Sequence, residues 1–369
     1  MTRATRAFLV LLASVASTAC DGSDPDDAGV AGGRDAGALD AGAGDAGALD
    51  AGPRADAGPR PDAGPAPSGT LAARYPRDEG IASDPAVLWH EGFEQTSVAA
   101  LAMRYESSRT DGMTLAADRP AASPGAQSVR MTAGGAAGDS TDLYKLLPGD
   151  GYEQLYVRWY VRHETGASYH HSGARFGAYN PPSRWPQGGA GLRPRGDDSL
   201  SVAFEPIGEG RMDFYNYWMR MRSWMAEPME VPGAYYGNTL VHRGEVATRP
   251  GTWQCIETMA RLNEPGSARD GELALWIDDR LVYHYTEDGP RGYWVRDKFC
   301  PSDADADSCV PYAPPPAERM SDVLDLTWRS AEALRLNYLW LLNYVSSGEG
   351  TLSYDDVVVA TARVGCIQP

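Results

Sequence analysis

In LYVRWYVRHE the apolar residues recur at every second position. Leu155, Val157, Trp159 and Val161 share one parity, and Tyr156, Arg158, Tyr160 and Arg162 the other. A helix repeats every 3.6 residues, so strict alternation marks a strand with one face turned to a core. Comparable runs occupy Ser128–Ala133, Ser199–Pro206, Met212–Met221, Trp253–Leu262, Glu272–Trp276, Arg280–Tyr285, Leu336–Tyr344 and Thr351–Ala360. ALWIDDRLVYHY predicts a hairpin that turns at Asp278-Asp279. Only Ser330–Arg335 and Leu71–Arg77 have a helical look. Many strands joined by long loops predict one all-β domain of two packed antiparallel sheets over residues 84–369.

Upstream of that domain the chain lacks the means to build a core. MTRATR places Arg3 and Arg6 before a short apolar run, Ala7–Ser17. That run is shorter than the roughly 20 residues needed to span a bilayer and suits a signal peptide. Ser17, Thr18 and Ala19 then precede Cys20, a pattern that resembles the lipobox read by lipoprotein signal peptidase. Residues 1–19 are therefore expected to be removed and Cys20 lipidated, which anchors an exported protein in the cell envelope. Ser17 stands where such sequences usually carry leucine, so an ordinary cleavage site is the alternative. Asp-Ala-Gly then starts at Asp27, Asp35, Asp40, Asp45, Asp50, Asp56 and Asp62, and residues 21–70 contain no aromatic side chain. Such a segment cannot offset its ordering entropy by burial. Residues 20–83 are predicted to be a disordered tether.

The net charge is −17. Residues 21–70 carry ten Asp and three Arg and the first twenty residues two Arg, which leaves −12 on the rest. A basic footprint for nucleic acid is missing. A polyanionic ligand would need local arginines to offset the overall field. Beyond Cys20 there are four cysteines, an even number that in an exported chain predicts disulfides. Cys300 and Cys309 bracket a short polar loop, and Cys255 is left with Cys366. No spacing resembles a paired zinc knuckle.

The succession LWHEGFE, LYVRWYVRHE, DSLSVAFEP, MDFYNYW, TWQCIETMARLNEPGSARDGELALWIDDRLVY and GTLSYDDVVVAT resembles concanavalin A-like jelly-roll proteins. Within them it is most similar to polysaccharide lyases of family 14 and the glucuronan lyases of family 20. The resemblance covers about residues 88–362. It implies a jelly-roll β-sandwich and β-elimination on an acidic, uronate-containing polysaccharide by a monomer, with no organic cofactor required. That chemistry needs a cation or donor on the uronate carboxylate, a base for the C5 proton and an acid for the leaving O4.

The family motif, Ser-x-Arg on one strand and Tyr-x-Tyr on the next, is matched by Ser201, Tyr215 and Tyr217, whereas Ala203 stands at the arginine position. In HHSGARFGAY, Arg175 resembles the family's basic residue, and His171 is a further base. His170, Tyr179 and Arg220 are expected to contact substrate. Two adjacent histidines in a strand would point to opposite faces, so one of the pair is expected in a groove. Arg220 has the wrong parity for the tyrosine face unless a bulge intervenes. The Glu-x-Asp-x-x-Glu pattern of jelly-roll glucanases does not occur. Glu94 in GFE and Asp355-Asp356 in SYDDVVV form a candidate structural calcium set of oxygen ligands. A carbohydrate-binding or adhesion lipoprotein on the same fold is the alternative function, and Ala203 favours it.

Overall fold

The computed structural model describes residues 69–368 apart from 135–139, 167, 209, 226–232, 267, 305–308 and 310–321. The leader, Cys20 and the Asp-Ala-Gly tract lie outside the described residues.

Two antiparallel sheets form a jelly-roll β-sandwich. The first runs β13 (Arg280–Tyr285), β12 (Glu272–Ile277), β11 (Gln254–Arg261), β6 (Gln154–His163), β18 (Gly350–Ala360), β4 (Ser128–Ala133) and β3 (Met113–Ala116), with β1 (Val87–Glu91) also paired to β18. The second runs β10 (Arg211–Phe214), β9 (Ser199–Gly208), β8 (Ala174–Tyr179), β17 (Tyr338–Ser347), β5 (Ser140–Leu146) and β2 (Ser107–Arg109), with β7 (Ser168–Tyr169) on β17. A small third sheet joins β15 (Lys298–Pro301), β14 (Arg291–Val295) and β16 (Asp322–Val323).

Alternation places the core between the sheets. Leu155, Val157, Trp159 and Val161 of β6 are fully buried there, together with Phe176, Val202, Phe204, Leu339 and Leu341 from the second sheet. The hairpin forms as its sequence predicts: Asp278 and Asp279 both have positive φ, 50° and 65°, the conformation of a type I′ turn. β18 is buried along its whole length. Its register shifts between Asp355 and Val358, where Asp356 has φ 45°. This bulge gives Asp355 and Asp356 a common side, although neighbours in a regular strand alternate.

Two expectations change. Residues 71–83, assigned to the tether, form a folded lead-in. A short helix, α1 (Leu71–Arg74), is capped by the Thr70 hydroxyl, which accepts from Ala73 N at 3.2 Å. Leu71 and Ile81 are fully buried against Val358, Ala360 and Val364. Leu71 N and Ala72 N donate to Arg363 O and Val364 O. The folded domain thus begins near Thr70 rather than at 84, because two well-placed apolar residues suffice to seal the outside of β18. The helical look of Ser330–Arg335 gives way to bends and a turn. Both disulfides join the expected partners, Cys255 with Cys366 and Cys300 with Cys309.

Candidate functional site

The site is built on the outer face of the second sheet, from residues of one parity on adjacent strands. β8 pairs with β9 so that Arg175 faces Ala203 and Gly177 faces Ser201. On its other side, Arg175 faces Trp340 and Gly177 faces Tyr338 of β17. Beyond Phe214, β10 gives up regular pairing but keeps its register. Tyr217 and Ser201 exchange both backbone hydrogen bonds, and Tyr215 N donates to Ala203 O. The Asn216 side chain stands in for the ladder by accepting from Ala203 N at 3.1 Å. One row therefore reads Trp340, Arg175, Ala203, Tyr215, and the next reads Tyr338, Gly177, Ser201, Tyr217.

Aromatic rings pave the face. Tyr338 stacks on Tyr179 at 4.7 Å and on Tyr144 at 5.4 Å. Gly177 is required here, since a Cβ would stand 2.8 Å from the Tyr338 hydroxyl. The Arg175 guanidinium lies 5.3 Å from the Trp340 ring centre, a cation–π geometry. It is nearly enclosed, with its side chain 11 % exposed, and its Nη2 is 3.8 Å from Glu205 Oε2. The other Glu205 oxygen meets His171 Nδ1 at 2.6 Å. Burial raises the Glu205 pKa, but His171 and Arg175 outweigh it and hold the carboxyl below its ordinary value. Glu205 is thus an anion tying a cation to an imidazole. Glu205 thereby orients the His171 ring through Nδ1.

His170 and His171 do not diverge as strand neighbours would. His171 has φ 52°, and the two rings lie with centres 3.8 Å apart. Burial, with His171 adding to it, pushes His170 down to about 3, so it is neutral near pH 7. Tyr215 presents an edge-on contact to His171 at 4.8 Å and to Tyr217 at 5.7 Å. Its ring lies on Gly237, where a Cβ would overlap it.

Arg175, Ser201 and Tyr217 form the inner end of a cleft of about 720 Å³. Tyr179 and the 180–198 loop complete it. That loop contributes Arg184, Arg193 and Arg195 against the single acid Asp198, with Trp185 63 % exposed at the rim. The Tyr179 hydroxyl is bound into the loop, donating to Gln187 O and accepting from Gln187 N, both at 3.1 Å. Tyr179 is thus a wall of the cleft. A locally basic cleft in an acidic chain is the arrangement a polyanion needs.

The structure brings Arg175, Ser201, Tyr215, Tyr217, His170, His171 and Tyr179 onto this face. Arg220 stands apart. It is half exposed, 3.9 Å from Asp325, which Arg269 also approaches at 3.5 Å. No bulge turns it toward the tyrosines. Glu205 went unnoticed in the sequence, although it shares parity with Ser201 and Ala203 in SVAFEP.

On the outer side of the first sheet, Glu94, Asp355 and Asp356 sense one another. Burial, reinforced by Asp356, holds the Asp355 carboxyl above its ordinary value, and burial raises Asp356 as well. Glu94 Oε1, however, already accepts from Ala126 N and Gln127 N at 2.8 and 3.0 Å. Among the described residues, Asp356 shares a metal-sized space with Asp78 and His90 rather than with Glu94. The calcium set expected from the sequence is corrected to that extent.

No family model and no curated protein matches the sequence. Among solved structures, the chain is similar to alginate lyase Aly36B (12 % identity, TM-score 0.44, 76 % of this chain and 99 % of that one). It is also similar to alginate lyase vAL-1 from Chlorella virus (11 %, 0.43, 73 % and 100 %). A third is the endo-β-1,4-glucuronan lyase from the fungus Trichoderma reesei (13 %, 0.40, 75 % and 96 %). With TM-scores below 0.5, these likenesses decide nothing about the chemistry of this chain, which rests on its own side chains.

Proposed function

We propose that the chain is a polysaccharide lyase that cleaves a uronate-containing polysaccharide by β-elimination, as a monomer and without an organic cofactor. The observation that carries this reading is the continuous set Arg175, Glu205, His171, Tyr215 and Tyr217, of which Arg175 and Tyr217 line an arginine-bearing cleft. Arg175 neutralises the uronate carboxylate and so acidifies the C5 proton. Tyr215 and Tyr217 supply the base and the acid, assisted by His171, which Glu205 orients. The C5–H pair becomes the C4–C5 double bond, the C4–O4 bond breaks, and O4 leaves with a proton from the acid. Ser201 supports the substrate between Arg175 and Tyr217, while His170 and the Tyr179 wall pack the sugar rings.

The signal peptide, lipidated Cys20 and tether belong to the same proposal. They would display the lyase at the cell surface, and two disulfides accord with an oxidising compartment. A carbohydrate-binding protein on this fold is the second reading. The enclosure of Arg175 and its partnership with Glu205 favour it, since both reduce the charge offered to substrate.

The test is the ultraviolet absorbance of unsaturated uronate ends, followed with alginates, glucuronan and other uronate polymers. A rise that Tyr217→Phe and Arg175→Ala each suppress supports elimination at this face. A flat trace with every polymer, together with retention on one of them, selects the binding protein instead.

A further inference from the structure

The bulge in β18 leaves a buried group that the proposed lyase chemistry does not use. Asp78 comes from the lead-in segment, His90 from β1 and Asp356 from the bulge. Their nearest ligand atoms all lie within 4.8 Å of one another. Asp78 and Asp356 are 4 % and 1 % exposed. Asp78 Oδ1, His90 Nε2 and Asp356 Oδ2 are all buried without a hydrogen-bond partner. Buried polar atoms of native proteins are ordinarily paired, and three residues this close, each with an unpartnered buried atom, call for a common partner.

Charge gives the sign of that partner. Asp78 and Asp356 set two carboxylates against one fully buried guanidinium, Arg158, which is bonded to the other Asp78 oxygen. The neighbouring acids are matched elsewhere: Glu91 pairs with Arg104 at 2.7 Å and Glu257 with Arg363 at 3.8 Å. A bound cation would offset the excess negative charge.

We propose that Asp78, His90 and Asp356 bind a divalent metal cation of the zinc class, which clamps the lead-in segment to β1 and β18 of the sandwich. One imidazole with two carboxylates suits a borderline first-row ion better than calcium, which prefers an all-oxygen shell. Asp78 comes from the lead-in segment, while His90 and Asp356 stand on β1 and β18 of the sandwich.

The test uses the full-length, untagged protein, stripped with chelator and titrated with Zn2+ and, as a spectroscopic probe, Co2+. One equivalent of Zn2+ is expected to bind and to raise the melting temperature by several degrees. Co2+ should show a visible d–d band that Zn2+ displaces. His90→Gln is expected to weaken Zn2+ binding at least tenfold and to remove the Co2+ band, with little change in the metal-stripped protein because His90 is only partly enclosed. Asp78→Asn should do the same, but it also loosens Arg158, so His90→Gln is the deciding variant. Absence of stoichiometric binding, or Zn2+ affinity unchanged in His90→Gln, overturns the proposal. So does stabilisation by Ca2+ alone that Glu94→Gln abolishes. None of these readouts depends on lyase activity.

Discussion

Arg175 and Ala203 face each other across the β8–β9 pair, with the guanidinium reaching the Trp340 ring and Glu205. The cation of the candidate site thus stands on β8, opposite Ala203 of β9. Arg175→Ala should lower kcat/KM about a hundredfold, the usual loss for one transition-state charge partner. Arg175→Ala combined with Ala203→Arg should recover part of that loss, because either position delivers a guanidinium to the same row between Trp340 and Tyr215. Steady-state kinetics on the three proteins decides it. A double variant no better than Arg175→Ala would place the cation's work elsewhere.

Gly237 positions Tyr215 by letting its ring lie on the backbone. Gly237→Ala is expected to push the ring off its contact with His171 and to lower kcat at least tenfold. KM should change little, since the arginines of the cleft are untouched. Tyr215 is only partly buried, so the fold should tolerate the shift with a melting temperature within a few degrees. A large loss of stability with normal specific activity would count against a positioning role.

Alternation made most of the sandwich legible. β4 and β13 match their sequence runs end to end, and β6, β11 and β18 differ by a residue or two. That signal survives because each strand of the first sheet turns one parity toward the same core. The candidate site was legible only residue by residue. That Arg175 stands opposite Ala203 depends on β8 lying beside β9 with Gly177 opposite Ser201, a register no local pattern encodes. The joint inward turn of His170 and His171 depends on one positive φ. Arg220 was misplaced because regular alternation stops after Tyr217, where side-chain hydrogen bonds from Asn216 and Asn238 replace the ladder. Asp78 escaped because a 13-residue lead-in carrying two buried apolar anchors has no periodicity to read.

His163 makes the fold acid-sensitive. Burial pushes it down to about 4, against roughly 6.5 in an unfolded chain. As pH falls through that window the unfolded state takes up the proton first, so stability present above about 6.5 is lost toward 4. The loss should be about 3 kcal/mol for this residue. His170, pushed lower still, acts in the same direction. Melting temperatures from pH 7.5 to 4 should decline, and less steeply in His163→Gln, which retains a donor for Ser172 O. Equal slopes in the two proteins would assign the acid sensitivity to other groups.

The Cys255–Cys366 bridge closes a long loop, its ends 111 positions apart in the sequence, and it also holds the strip on which the lead-in rests. Leu71 N and Ala72 N bond to Arg363 O and Val364 O, and Arg77 N bonds to Gln368 O. The Glu257 carboxylate secures the same strip by accepting from Val364 N and Gly365 N at 2.7 and 2.9 Å. Replacing both cysteines by serine should cost about 2–5 kcal/mol overall. The loss should not be uniform: amide exchange at Leu71, Ala72 and Arg77 should quicken well before exchange in β6, because these amides share their acceptors with the freed terminus. Cys300→Ser with Cys309→Ser closes no loop near this strip and should leave those three amides protected. If both pairs of substitutions affected the lead-in alike, the terminus would not be what holds it.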